Sequence, residues 1–235
     1  MRRAGLLRTA IAAIILASWG CSKAESTKTP ATERAAGSPP AVGTGGAGAN
    51  LSDSEFVRDV ALKNLAAVEL SRMALGKAVD PEVKAFAQTM VDDHESAANG
   101  LRSAVAGQPI EWPAQLDEKH RKPAEELTGK HGADFDREYL KAMIEGQQDL
   151  AAKLESRLDV QSVADWKTAA AARAQGNAMP DPKTAMRDVT VRPAAGGDGP
   201  AMKINRWAAD TYPMAQKHLD TTRTLEKTIK KRSTD

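Results

Sequence analysis

Four separated stretches of this 235-residue chain repeat apolar residues at the 3.6-residue spacing of an amphipathic helix, and the alternation of a half-buried strand recurs nowhere. That period restricts the chain to helices packed face to face. It predicts helices over about 53–77, 81–106, 134–158 and 203–231. Composition agrees: 41% of residues are hydrophobic but only 4% aromatic. The core is therefore aliphatic and thin, which suits Ala- and Leu-rich helices better than a sandwich or barrel.

The ends of the helices are written locally. Ser52 followed by Glu55 is a capping-box pattern. Asp80 before Pro81 combines a capping side chain with proline at the first helical position. Pro213 lies inside the last helix, where it removes a backbone donor and should kink the helix one turn before His218. Residues 107–134 form a connection with a short helical middle, long enough to run the length of a bundle. Residues 159–202 are less regular. "VADWKTAAAARAQG" reads as a further helix, and the rest is loop punctuated by Pro and Gly.

Each amphipathic stripe carries one polar residue. Glu69 falls within the stripe of Leu62, Leu65 and Met73. His94 is three, four or seven residues from Ala87, Met90, Val91, Ala97, Ala98 and Leu101, so it faces inward, while Asp92, Asp93 and Glu95 turn to the flanks or to solvent. Gln147 sits within the stripe of Tyr139, Met143, Leu150 and Leu154, and His218 within that of Trp207, Met214, Ala215 and Leu225. Buried polar groups need partners, so Glu69, His94, Gln147 and His218 are expected to form one inner polar cluster. On that structural reading His94→Leu should be tolerated. His120 and His131 lie in the charged connection and read as solvated.

The N-terminus reads as a processing segment. Residues 1–20 have a basic start, the apolar run "AIAAIILA" and small residues, the layout of a secretory signal. Cys21, the lone cysteine, follows at once and is read as a lipidation site of lipoprotein type, although Ser18-Trp19-Gly20 also suits ordinary signal cleavage. Residues 21–50, rich in Gly, Ala, Pro and Ser after the cysteine, read as lipid site and disordered tether, and 51–232 as the helical domain, with 159–202 as an insertion. Removing Arg2, Arg3 and Arg8 with the leader leaves 30 basic against 31 acidic residues, so no basic surface points to nucleic acid. The basic tail "TLEKTIKKRSTD" reads as cations favoured in the last helical turn by the macrodipole, with a weak contact to an anionic surface as the alternative.

Three elements carry a family likeness: "ELSRMALGKAVDPEVKAFAQTMVDDHESAANGL", then "GADFDREYLKAMIEGQ", then "WAADTYPMAQKHLDTT". In that order they resemble the bacterial family called domain of unknown function 4142, over about residues 51–158 and 203–226. The resemblance implies an exported or envelope protein with a ferritin-like four-helix bundle and a crossover between the second and third helices. Where the family commonly has His, this chain has Gln147. Di-iron chemistry in such bundles wants Glu-x-x-His on two helices, but Val91 and Ala215 occupy the positions three before His94 and His218. No catalytic constellation or phosphate loop is present, and no cofactor is expected. The sequence thus reads as a non-enzymatic periplasmic lipoprotein, anchored by its lipid on the periplasmic side; the resemblance of its start to bacterial lipoproteins, with Ser22 rather than Asp after a lipidated Cys21, implies the outer membrane. It would act as an envelope binding or stress-related module, with an envelope protein as partner. The alternative is a metal-binding or redox protein using His94, His218 and Glu69.

Overall fold

The structure, a computed structural model, describes residues 52–175, 189–196 and 199–232, and the described residues are predominantly helical. In chain order the elements are α1 (Asp53–Lys77), α2 (Pro81–Ala104), α3 (Glu118–Thr128), α4 (Gly132–Glu155), α5 (Val160–Ala174) and α6 (Pro200–Arg232). The four long segments expected from periodicity are α1, α2, α4 and α6. The two expected caps form. The Ser52 hydroxyl accepts from the Glu55 amide while the Glu55 carboxylate accepts from the Ser52 amide at 3.0 Å. Asp80 accepts from the amides of Glu82 and Val83. Helix α6 runs through Pro213 as one element. The signal segment, Cys21 and the whole tether lie outside the described residues. Among the described residues no helix is long and apolar enough to cross a membrane.

Helix α1 packs on α2 and α4, α6 packs on α4 and α2, and α3 lies across α1 and α4. The apolar residues gather into two clusters. One holds Phe56 and Val60 of α1, Leu101 of α2, Leu150 and Leu154 of α4, and Ile204 and Tyr212 of α6. The other holds Leu70 and Ala74 of α1, Phe86 and Met90 of α2, Phe135 and Tyr139 of α4, and Ile229 of α6. The order in which each helix visits the clusters fixes its direction: α1 and α6 run one way, α2 and α4 the other. Every adjacent long pair is therefore antiparallel, and the connection between α2 and α4 crosses from one cluster to the other. Along the way α3 contributes Leu127 to the second cluster.

The segment after α4 tucks against the first cluster. Val163 and Val191 are buried there, Leu158 bridges Pro193, and the Ser162 hydroxyl accepts from the Arg192 amide at 2.9 Å. Trp166 of α5 stands edge-on to Tyr212 at 5.4 Å between ring centroids. At Gly100 of α2 an added side-chain carbon would stand 3.2 Å from the indole nitrogen of Trp207 on α6. That indole donates to the Ala97 carbonyl at 3.0 Å.

Asp136, which is 1% exposed, performs a task that local pattern does not reveal. Its carboxylate accepts from the amides of Val79 (3.1 Å) and Asp80 (2.8 Å), so α4 caps the turn between α1 and α2. Its neighbours complete the lock: Phe135 and Tyr139 stack at 6.2 Å, and the Tyr139 hydroxyl pairs with Ser71 at 2.9 Å. Asp136→Ala strands two amides at once. It is expected to lower the unfolding free energy by about 1–3 kcal/mol, read from the urea midpoint at unchanged m-value. Asp136→Asn, which keeps an acceptor, should lose less.

Candidate functional site

Between the two apolar clusters lies a single polar level built from one residue of each long helix, with Asn64 and not Glu69 representing α1. Residues three, four and seven from Asn64 are Val57, Val60, Ala61, Ala67, Val68 and Ser71, and all six are buried. Glu69 has Leu65, Ala66, Arg72 and Met73 at the corresponding near positions, and it is exposed. The expectation for Glu69 is thereby corrected. Small residues carry much of the true stripe of α1, whereas Leu65 and Met73 mark its half-buried flank.

His94 is fully buried, and its ring bridges α1 and α4. Asn64 donates through Nδ2 to the Val60 carbonyl at 2.9 Å, which turns its Oδ1 toward the ring. His94 therefore donates from Nδ1 to Asn64 Oδ1 at 2.8 Å. Its bare Nε2 accepts from Gln147 Nε2 at 2.9 Å. The network assigns the tautomer and the amide orientation together. Burial, and then the neighbouring His218, lower the His94 pKa to about 3, so the ring is neutral. The cluster thus joins His94 to Gln147 and brings it beside His218, whose ring centroid is 5.4 Å away.

His218 is 2% exposed and stands edge-on to Phe86. Its Nε2 pairs with Asp93 Oδ2 at 2.8 Å. Burial pushes its pKa down, and the hydrogen bond and charge of Asp93 oppose that shift. Asp93 stands on the flank of α2, where its spacing puts it, and from there its carboxylate reaches across to His218 on α6. Two acceptors of the level, Gln147 Oε1 and His218 Nδ1, are buried with no partner.

His120 also departs from expectation. Its side chain is only 9% exposed, held by Asp117 at 2.6 Å with Asp59 3.9 Å from the other nitrogen. His131 is exposed. Beside α3 an open cavity of about 170 Å³ lies against α1 and α4, with Ala66, Ala67 and Gly146 leaving the space and Gln147 in its wall.

The di-iron ligand set of ferritin-like bundles does not fit these residues. Val91 and Ala215 stand where the carboxylates would be, and among the described residues no three or more His, Cys, Asp and Glu gather as a cation site. Sequence reasoning missed Asn64 and Asp93. The neighbours of Asn64 at helical spacing would have identified it, but no sequence signal shows that Asp93 reaches His218.

A family model described as a domain of unknown function (DUF4142) matches residues 38–179, through α5 and short of α6. No curated protein matches the chain. One similar solved structure is described as CopM in the Cu(II)-bound form. It is 16% identical, with a TM-score of 0.47, over 75% of this chain and 96% of that one.

Two consequences can be measured. His94 and His218 have folded pKa values below the ordinary histidine value, so the unfolded chain binds more protons than the native one once pH drops below about 6.5. Stability is full above that pH and falls as pH moves from about 6.5 toward 3, where His94 titrates. Urea unfolding between about pH 6.5 and 4.5 should show this slope, and His94→Leu should remove much of it. At neutral pH His94→Leu should itself lose roughly 1–3 kcal/mol or more, because Asn64 Oδ1 and the Gln147 amide remain buried without their partner. This replaces the tolerance expected from sequence.

Proposed function

Because the chain belongs to the DUF4142 family, which is defined by likeness and not by an activity, we propose a function from its own chemistry. It is a non-enzymatic lipoprotein of the cell envelope: a ferritin-like four-helix bundle, tethered through Cys21 on the periplasmic side of the outer membrane, that binds and does not transform its ligand or partner. The direction of the helices supports the bundle reading, since one long crossover between α2 and α4 is the connection such bundles use. The sequence of residues 1–50 supports the anchor.

The observation that carries the non-catalytic reading is the state of His94. A general base needs reach to a substrate proton and a pKa near the working pH. His94 has neither, being fully enclosed, bonded at both nitrogens and neutral down to about pH 3. What the helices hold at this level is a set of donors and acceptors with Gln147 Oε1 and His218 Nδ1 left over, which suits binding.

The anchor is tested by intact-mass spectrometry of the membrane-extracted chain and by fractionation. Acylated Cys21 at the mature N-terminus is expected, together with movement of Cys21→Ser from the membrane to the soluble fraction. A mature chain with an unmodified Cys21 thiol would sink this reading.

A further inference from the structure

We propose that His94, His218 and Gln147 form a buried site for one divalent metal ion of zinc-like softness. The inference rests on the reading of the inner level as a binding element, and it names what is bound. Its first support is the set of oxygens around the two rings. A ligating imidazole ordinarily gives its second N–H to a carboxylate or carbonyl, which fixes the tautomer and raises the basicity of the free nitrogen. Both rings have this arrangement. His94 donates from Nδ1 to the Asn64 carbonyl oxygen at 2.8 Å. His218 places Nε2 2.8 Å from Asp93 Oδ2, a carboxylate–histidine pair. The nitrogens left over, His94 Nε2 and His218 Nδ1, are lone pairs inside the protein.

The second support is the two acceptors that the hydrogen bonds leave over. His218 Nδ1 and Gln147 Oε1 are buried without partners, a condition that native interiors rarely tolerate. A network that only joined α1, α2 and α4 would need no more than Asn64, His94 and Gln147. It gives no role to a second imidazole whose free nitrogen faces no donor.

The third is distance. The ring centroids of His94 and His218 are 5.4 Å apart. With metal–nitrogen bonds of about 2.0–2.1 Å, two imidazoles on one tetrahedral ion place their centroids roughly 5 Å apart. The spacing of the two rings is thus of the size that a shared ion sets. Gln147 supplies the third donor. Its N–H now caps His94 Nε2 at 2.9 Å. Turning the amide over frees that nitrogen and presents Oε1 to the same ion. Of the three proposed ligands, Gln147 alone borders the cavity beside α3. Two neutral imidazoles with an amide oxygen favour zinc-like ions over magnesium or calcium, which take sets made of oxygen alone.

The test uses the full chain in mild detergent, stripped with a chelator and titrated with Zn²⁺ against a chromophoric competitor, with Mg²⁺ as control. One zinc per chain is expected. Asp93→Asn, at a half-exposed surface position, should weaken binding about 10–100-fold by removing the carboxylate behind His218. His218→Leu should abolish stoichiometric binding. Gln147→His, which replaces an amide oxygen by a third imidazole, should tighten it at least about tenfold. The Asp93 and Gln147 variants keep the test decisive if His218→Leu fails to fold. Absence of stoichiometric zinc would overturn the proposal, as would binding unchanged in Asp93→Asn and Gln147→His, which would place the ion at a surface residue such as His131. A chain that is acylated and membrane-bound yet takes up no zinc would overturn this inference alone and leave the anchor standing.

Discussion

The structure depends on one constraint: four helices must bring their inward polar groups to the same height. A polar group taken from water without a partner costs several times what a typical hydrogen bond contributes net. Asn64, His94 and Gln147 avoid most of that cost only when α1, α2 and α4 stand in one register, because the ring of His94 spans both amides. Sliding α2 by a turn would break both hydrogen bonds and set a histidine against aliphatic side chains, and sliding α1 or α4 would break one. Apolar packing alone is far less selective, since Ala, Leu and Met at helical spacing fit one another in several registers. The polar level specifies the register, and the apolar clusters on either side supply the bulk of the driving force.

The two ends of the bundle are closed by different means. At one end Asp136 caps the α1–α2 turn, and Arg232 near the end of α6 pairs with Asp80 and Glu82 at the start of α2. At the other, Arg157 lies over the Phe56 ring, the Tyr212 hydroxyl donates to Glu155, and the segment around Val191 covers the first cluster. Exposed ion pairs are each worth little. Asp136 differs because its acceptors meet amides at a buried position.

Much of this was legible in the sequence. Periodicity and two capping patterns fixed four long helices to within a few residues, and the spacing around His94 fixed its direction. The reading failed where small residues do the packing. Val60, Ala67 and Ser71 define the inner face of α1, but Leu65 and Met73 dominate the eye, so Glu69 was placed where Asn64 belongs. It is also silent where a residue on the flank of one helix meets the next helix. Asp93 sits on a flank by spacing, and only the position of α6 brings His218 within 2.8 Å of it. His120 was misjudged for the same reason: the charged connection that contains it folds back on α1.

The position of Asp136 has a consequence for the order in which the chain can become native. The turn it caps ends at Asp80, so the first two helices leave two backbone amides unsatisfied until a residue more than fifty positions later arrives. The α1–α2 hairpin is therefore an unfinished unit, however well its two faces match. In a chain that emerges N-terminus first, water must hydrate these amides until the connection has crossed back along the bundle and brought the start of α4 to them.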